Sequence, residues 1–441
     1  MPRYSKRFLA IRELGDVVIT HSVYAAVVKL LMNDSEDEES DDDDIFMQSQ
    51  TAVSAHFAAA NSFRFLFREP NYRPDVRMKR TGQAVPQWKQ IILGDVYNDE
   101  EFLKIFRLPR QSFLPLMQFF KAHRSFAKNG LKQRKHFSVE LHLLVLLKFL
   151  GSEGNAASAI VVKHGLGLGK GSVQNYIQRA TDAVLSVFSD TVFWPNAAER
   201  VEISTRIREK YHFPKCVGMI DGTFFGLAYK PEVHGEEYFN RKQQYAINSM
   251  IICDDVRRIC YINIGWPGSV HDQRIYSNSI ISRLPGNYFS DKEYLLGDSA
   301  YLNSAFMVSA YKKYGGQVAL TAGQNFFNDL LSSPRSTAEH TIGILKARFP
   351  FLRQIRVRIR GKNSMKELIR VVKAAVVLHN LLVGQHELPK SWFSKDDVVE
   401  PDVVVHLDEE IYLSPSTTLQ QGNGDVMRRD EVHNFLSAKL Q

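Results

Sequence analysis

Hydrophobic and polar residues divide the chain into a helical part and a later part with short strands. Between about residues 95 and 205, apolar residues recur at helical spacing, most clearly over residues 99–106, 112–120 and 138–150. From about Phe213 onward, short apolar runs end on glycine or aspartate, which is typical of buried strands. The pattern therefore predicts an α/β fold preceded by an all-α region.

Two of these short strands end on an aspartate that is next to a glycine. Residues 215–225 read Lys-Cys-Val-Gly-Met-Ile-Asp-Gly-Thr-Phe-Phe, and Asp221 closes the apolar part of this run. Gly222 allows the backbone either to turn sharply or to approach a ligand closely. Residues 294–298 repeat the arrangement and end on Asp298. A charge at the end of a buried strand is costly unless it is paired, so each aspartate is either a turn or capping residue or part of a site.

The elements around these strands follow the order of the RNase H-like fold. Residues 244–253 and 259–264 predict a β-hairpin, so the first three strands form a meander. A helix is predicted near Asp272, and further helices are predicted over residues 336–349 and 364–383. Three strands, a helix, and a strand with a helix after it give an RNase H-like mixed sheet flanked by helices.

A third acid, Glu339, lies on the helix predicted over residues 336–349, away from its apolar face. Open α/β folds place their sites at the carboxyl ends of strands, so Asp221, Asp298 and Glu339 are predicted to converge. Converging carboxylates repel one another unless divalent cations lie between them, and hard oxygen ligands suit Mg²⁺ or Mn²⁺. Two such ions can promote in-line displacement at a phosphodiester without a nucleophilic side chain.

A helical hairpin in the N-terminal half has the plan of a helix-turn-helix DNA-binding motif. A glycine-rich turn at residues 165–170 precedes a helix that is predicted from Ser172 and has one apolar stripe. The side chains predicted to face DNA lie off that stripe: Lys170, Ser172, Gln174, Asn175, Gln178 and Arg179. A hairpin that only packs against its neighbours is the alternative, because such hairpins are common.

Length and composition limit the class of protein. A chain of 441 residues suits two or three domains, and a hydrophobic content of 44% supports a sizeable core. The three cysteines form no C-x-x-C pair, which argues against a disulfide scaffold or a cysteine zinc site. No run of about 18 uncharged apolar residues is present, so no membrane span is predicted.

The distribution of charge predicts a polyanionic partner. The net charge is +8, although residues 34–44 alone contain nine acidic residues. Without that tract the rest of the chain carries +17, which favours nucleic acid as the partner. The tract itself is too densely charged to build a core, so a disordered segment is predicted there.

Several motifs in a fixed order resemble those of the transposases of PIF/Harbinger DNA elements and their domesticated relatives, a group of DDE-type endonucleases. They lie within about residues 215–385, and the helical part from about residue 95 also resembles the family's N-terminal region. Leu302 and Ala338 depart from the family pattern, but neither departure removes a carboxylate. The motifs read Met219-Ile-Asp-Gly-Thr223, Tyr238-Phe-Asn-Arg-Lys242, Gly265-Trp-Pro-Gly-Ser-Val-His-Asp272, Leu296-Gly-Asp-Ser-Ala-Tyr301, Leu345-Lys-Ala-Arg-Phe349 and Leu378-His-Asn-Leu-Leu382.

The resemblance implies roles for individual residues. The catalytic triad is expected to be Asp221, Asp298 and Glu339, and the same carboxylates are expected to bind the metal. Asp272 is either a fourth acid beside the metal or the N-cap of the helix that follows it, and we favour the N-cap. Arg241 and Lys242 fit contacts to DNA phosphates, with a solvated basic loop as the alternative.

The resemblance also implies partners and a location. The expected partners are double-stranded DNA with a transposon-end-like sequence and a separate Myb-like DNA-binding protein. A homo-oligomer is a further expectation, and the expected location is the nucleus.

The sequence thus predicts four regions and one preferred function. The regions are a variable segment over residues 1–94, a helical region with the helix-turn-helix over 95–205, an RNase H-like DDE endonuclease domain over 206–385, and a tail over 386–441 with a short terminal helix. The predicted function is metal-dependent cleavage and strand transfer of DNA. The alternative is a catalytically silent DNA-binding or chromatin protein derived from a transposase, although the intact carboxylates favour the enzyme.

Overall fold

The computed structural model describes the chain from residue 87 to residue 439, with several internal gaps. The acidic tract at residues 34–44 and most of the variable segment lie outside the described residues. The gaps comprise residues 122, 124–125, 127–137, 158, 167, 169, 291, 314–318 and 394–427.

A helical region comes first, as the sequence predicted. The capping box formed by Asn98 and Glu101 begins one of its helices, and a second capping box, Asn196 with Glu199, begins another. No described helix is long and apolar enough to cross a membrane. In the described part of the chain, the helices before the sheet are α1 (Gln87–Leu93), α2 (Asp99–Phe106), α3 (Arg110–Phe120), α4 (Val139–Leu150), α5 (Ala159–Leu166), α6 (Lys170–Leu185), α7 (Phe188–Thr191) and α8 (Ala197–Tyr211).

A five-stranded mixed sheet follows, with the strand order β3-β2-β1-β4-β5. The first three strands form the predicted antiparallel meander, and β1, β4 and β5 pair in parallel. The prediction of a mixed α/β fold behind a helical region is therefore confirmed. The strands are β1 (Cys216–Gly226), β2 (Ala246–Cys253), β3 (Ile259–Pro267), β4 (Tyr294–Gly297) and β5 (Met307–Ser309).

Helices cover the sheet and the end of the chain. They are α9 (Asp272–Ser277), α10 (Ile280–Arg283), α11 (Ala322–Arg348), α12 (Lys362–Leu382) and α13 (Arg428–Lys439). The terminal helix expected in the tail is present as α13, whose Val432 and Leu436 are buried. Helix α11 begins much earlier than predicted, because Thr321 caps it and Pro334 continues it instead of ending it.

The helical region and the sheet share hydrophobic core. Leu144 of α4 and Val173 of α6 belong to the same buried cluster as Phe225 of β1, Ile251 of β2 and Val376 of α12. The opposite face of the sheet packs on α9 and α10 through a smaller cluster that includes Ile220, Met250, Ile275 and Ile281. The predicted boundaries between regions stay predictions, because the core runs across them.

Strand β1 does not end at Asp221, and this part of the sequence interpretation is wrong. The strand continues to Gly226, and Asp221 pairs with Ile251 in the antiparallel ladder with β2. Its other neighbour, β4, ends earlier, where Ile220 pairs with Gly297. Asp221 therefore lies where β1 extends past its parallel partner, and the hydrogen bonds to β2 hold the chain extended through Gly222.

Candidate active site

Asp221 and Asp298 come together because of the register between two parallel strands. Met219 pairs with Leu296 and Ile220 with Gly297, so each aspartate follows at the next position along its own strand. Because side chains alternate between the two faces of a sheet, the pairing predicts that both aspartates face the side of Met219 and Leu296. That side packs against helix α11. The predicted convergence of these two acids agrees with this register.

The carboxyl group of Asp221 is surrounded by protein, although the residue as a whole keeps some exposed surface. Burial, together with the neighbouring carboxylates of Asp298 and Glu339, raises the pKa of Asp221 to about 7. The backbone N–H of Gly222 donates to Asp221 Oδ1 at 2.8 Å and opposes the rise, as does the Arg335 guanidinium. The pKa of Asp221 is thus strongly raised by its surroundings, which is typical of functional sites.

Glu339 approaches this pair from helix α11. Its side chain is partly exposed and forms an ion pair with Arg335, one helical turn earlier. Ala338 and Thr341, on either side of it along the helix, are buried. Glu339 therefore belongs to the acidic group through its effect on the pKa of Asp221, while Arg335 neutralises its charge.

Asp272 joins the group from the other face of the sheet. A side chain on Gly222 would place its Cβ 2.4 Å from Asp272 Cγ, so the carboxylate occupies the space that only a glycine leaves. Asn248 of β2 donates to Asp272 Oδ1 at 2.9 Å. Burial raises the pKa of Asp272, and the nearby Asp298 contributes to the rise. Gly222 thus allows Asp272 to approach the strand closely, and the chain does not turn there.

The favoured N-cap role of Asp272 does not match this geometry. His271 holds the N-cap position of α9, and Asp272 is the first residue inside the helix. Its carboxylate accepts from Asn248, which is buried on β2 and also donates to the carbonyl oxygen of Val270 at 2.7 Å. Sequence reasoning missed Asn248, whose only signal was a single amide in an otherwise apolar strand.

Tyr301 is a buried residue that lies next to the acids. It is buried beside Gly297, where an added Cβ would lie 2.8 Å from Tyr301 Cδ2. Burial raises the pKa of Tyr301 well above its ordinary value, and Asp221, Asp272 and Asp298 add to the rise. Its hydroxyl has no hydrogen-bond partner among the described residues. Tyr301 is therefore a buried group close to three of the acids.

The donor set suits a hard divalent cation. Asp298 and Glu339 lie close enough to raise the pKa of Asp221, and Asp298 also raises the pKa of Asp272. Arg335 is paired with only one of these acids, Glu339, which leaves negative charge for a cation to balance. As the side chains stand, no three or more His, Cys, Asp or Glu residues in the described ranges are gathered closely enough to hold a metal ion. The ligand chemistry fits Mg²⁺ or Mn²⁺, whereas a closed coordination shell is not preformed.

The predicted DNA-contacting residues lie in two places. Helix α6 begins at Lys170, whose side chain is outside the described atoms, and not at Ser172. Its stripe is buried as predicted, including Val173, Tyr176 and Ile177, while the polar positions face outward to different extents. Gln174, Asn175 and Gln178 are exposed, and Ser172 and Arg179 are half-buried.

The second group of predicted contacts, Arg241 and Lys242, lies in the turn before β2. Both residues are exposed. Arg241 lies close enough to Asp272 to lower the pKa of that carboxyl group, so this turn is near the acids. Asn240 orders the turn, because its Oδ1 accepts from the backbone N–H of Lys242 at 2.9 Å.

Comparison with known proteins agrees with this geometry. Residues 220–380 match the model of a family described as DDE superfamily endonuclease. The protein named "Putative nuclease HARBI1" from Rattus norvegicus is 23% identical over 292 residues, which cover 66% of this chain and 79% of the rat protein. The Homo sapiens protein of that name is also 23% identical over 292 residues, with 66% and 79% covered.

A plant protein is similar over a comparable length, and no solved structure matches significantly. "Protein ALP1-like" from Arabidopsis thaliana is 20% identical over 312 residues, which cover 67% of this chain and 74% of the plant protein. The matched family segment contains Asp221, Asp298 and Glu339 together with β2, β3 and most of α12. Residues 220–380 of this chain are therefore similar to the DDE superfamily endonucleases.

Proposed function

We propose that the chain is a divalent-metal-dependent DNA endonuclease of the Harbinger transposase type, which hydrolyses phosphodiesters and transfers strands. The observation that carries the proposal is the strand register that puts Asp221 and Asp298 at matching positions, each one residue beyond the pair Ile220 and Gly297. Burial and the carboxylates of Asp298 and Glu339 raise the pKa of Asp221 to about 7, which agrees with a group of neighbouring acids. A cluster of poorly solvated acids is costly for folding unless a cation uses it. The proposed catalytic residues are Asp221, Asp298 and Glu339, with Asp272 as an additional acid beside the metal.

Each proposed ligand is held by contacts within the chain. A backbone N–H fixes one oxygen of Asp221, and the N–H of Ala300 donates to Asp298 Oδ1 at 2.9 Å. Asn248 fixes Asp272, and Arg335 holds Glu339 until a cation takes over its charge. When bound, Mg²⁺ or Mn²⁺ activates the attacking water or 3′-hydroxyl and stabilises the leaving oxygen. The carboxylates would position the ion, and the buried Tyr301 lies beside three of them.

DNA recognition is assigned to helix α6 and the turn before β2. The exposed amides of Gln174, Asn175 and Gln178 are suited to base edges in a major groove, where Asn and Gln pair with adenine. Arg241 and Lys242 are suited to phosphates near the acids. Replacing Gln174 and Gln178 with alanine is expected to weaken binding to a preferred sequence while random duplex binds as before. Unchanged binding to both DNAs would reduce α6 to a packing element.

The substrate sequence, the location and the partners are inferred from the proposed Harbinger type. The proposed substrate is double-stranded DNA with transposon-end-like sequence, and the proposed location is the nucleus. A separate Myb-like DNA-binding protein and a second copy of this chain are proposed partners.

Cleavage of supercoiled plasmid DNA tests the proposal. Wild-type protein with Mg²⁺ or Mn²⁺ is expected to produce nicked and linear forms, and excess EDTA is expected to stop the reaction. Asp298→Asn should bind DNA as wild type does but should cleave at least about 100-fold more slowly, because a metal ligand is lost. Metal-independent cleavage, or full activity in the variant, would contradict the proposal.

A catalytically silent DNA-binding protein is the second candidate. The observation that favours it is the pairing of Glu339 with Arg335, together with the lack of a preformed metal shell in the described residues. Tight DNA binding without cleavage at any divalent ion would select this candidate.

A further inference from the structure

A segment after helix α11 carries a row of arginines on an extended backbone. We define residues 353–362 as the arginine segment; it reads Arg-Gln-Ile-Arg-Val-Arg-Ile-Arg-Gly-Lys and contains no acidic residue. Ile355 and Ile359 are buried, whereas Arg356, Arg358 and Arg360 are exposed. The alternation places three guanidinium groups on the outer side of one strand-like segment.

The arginine segment is fixed to the strand that carries Asp221. The N–H of Ile355 donates to the carbonyl oxygen of Gly226 at 2.7 Å, and the N–H of Ala228 donates to the carbonyl oxygen of Ile355 at 2.9 Å. Gly226 permits this contact, because a Cβ there would lie 2.4 Å from the carbonyl oxygen of Arg353. The N–H of Glu232 also donates to the carbonyl oxygen of Ile359 at 2.9 Å, so the segment is held beside the chain that follows strand β1.

The outer arginines are only weakly engaged. Arg356 donates to the side chain of Asn155 at 2.7 Å, and the Arg358 guanidinium lies 5.1 Å from the centre of the Tyr229 ring. Arg360 forms an ion pair with Glu232 at 3.5 Å, with 71% of the Arg360 side chain exposed. Exposed pairs of this kind contribute under about 1 kcal/mol, so a ligand can compete with them.

We infer that the arginine segment binds the phosphate backbone of DNA beside the acids, an inference that rests on DNA being the substrate. Alternate residues in an extended segment are about 7 Å apart, so the three arginines span about 13 Å. Gly226 is five residues beyond Asp221, about 17 Å along the strand, which is roughly half a turn of B-DNA. In this proposal, a duplex with its scissile phosphate at the acids runs over this row. Arginine forks match phosphate oxygens and carry no base preference.

Salt-dependent binding to a labelled duplex of random sequence tests this inference. The plot of log affinity against log salt has a negative slope. In the triple variant Arg356→Gln, Arg358→Gln and Arg360→Gln, this slope should be less steep by about three. Wild-type affinity should then fall about 40-fold more than that of the variant between about 50 and 200 mM salt. Replacing the same three arginines with lysine should restore most of the slope, because lysine keeps the charge.

A charge-matched control separates a local contact from net charge. Arg208, Lys312 and Lys313 are exposed on helix α8 and after strand β5, and changing them to glutamine removes the same three charges. The inference predicts that this control keeps nearly the wild-type slope. Equal slopes in the arginine variant and wild type, or equal losses in variant and control, would overturn it.

Plasmid cleavage by the same wild-type sample distinguishes the two proposals. Wild-type protein that cleaves DNA while the arginine variant keeps the full salt slope would leave the endonuclease proposal standing and remove the role of the segment. Binding that depends on the arginines, without any metal-dependent cleavage by wild-type protein, would support the role of the segment and contradict the endonuclease proposal.

Discussion

Asp221 and Asp298 occupy matching positions on two parallel strands, each one residue beyond the paired residues Ile220 and Gly297. This register, and not the end of strand β1, brings the acids together. Strand β1 runs on to Gly226 along β2, so Asp221 lies within extended backbone that pairs with β2 on one side. Helix α11 then adds Glu339, and Gly222 makes room for Asp272.

Removing the charge of Asp221 should stabilise the metal-free protein at alkaline pH. Its folded pKa of about 7 is above the ordinary value of 3.8, so the folded state binds the proton more tightly and loses stability as pH rises through this range. In EDTA, Asp221→Asn should therefore unfold at higher urea than wild type at pH 8, with a gain of up to about 4 kcal/mol. At pH 4 the gain should be nearly absent. A variant that is less stable than wild type at pH 8 would contradict the raised pKa of Asp221.

Adding a methyl group at Gly222 should disturb the site through Asp272. The new Cβ would lie 2.4 Å from Asp272 Cγ, so the carboxylate must move. We expect Gly222→Ala to lower the free energy of unfolding by about 1–3 kcal/mol and to reduce cleavage. Gly286→Ala is the matched control, because no atom lies within 4 Å of the Cβ position there. Equal stability of the two variants would show that the contact has no consequence.

His379 should make the fold sensitive to acid. It is fully buried near the end of helix α12, and its Nε2 is 3.0 Å from the carbonyl oxygen of Arg257. Burial, with a contribution from the nearby Arg348 charge, lowers the pKa of His379 to about 3. The unfolded chain takes up the proton near pH 6.5, so the stability that neutral His379 contributes is lost as pH falls from about 6.5 toward 3.

Urea unfolding of His379→Gln checks this pH dependence. Glutamine can still donate to the Arg257 carbonyl oxygen but does not titrate. Between pH 6.5 and pH 5, wild type should lose about 2 kcal/mol more than the variant. Parallel pH profiles for the two proteins would contradict the buried neutral state of His379.

The sequence predicted the order of elements better than the details of the site. The apolar runs around Asp221 and Asp298 and the hairpin between them were found, because buried strands have a strong period and composition. The extension of β1 past Asp221 was missed, since a carboxylate followed by glycine resembles a strand end. Only the tertiary fold shows that β2 pairs with β1 from Met219 to Gly226, beyond Asp221.

Helix α11 and the contacts of Asp272 illustrate a second limit. Ser332, Ser333 and Pro334 resemble a helix break, yet Thr321 caps a helix that continues through them. Asp272 fitted an N-cap from its local sequence, whereas its partner Asn248 is distant along the chain. Contacts of this kind depend on strand packing, which spacing along the sequence does not encode.

The central claim, that Asp221, Asp298 and Glu339 together hold divalent ions, is tested most directly by Mn²⁺ binding. The fraction of free Mn²⁺ is measured by electron paramagnetic resonance with a short duplex present, because DNA oxygens complete the coordination shell. Wild-type protein should withdraw about two ions per chain, and Asp221→Asn, Asp298→Asn and Glu339→Gln should each lose at least one. The control Asp190→Asn, an exposed acid on helix α7, should bind as wild type does. Unchanged Mn²⁺ binding in all three site variants would contradict the account.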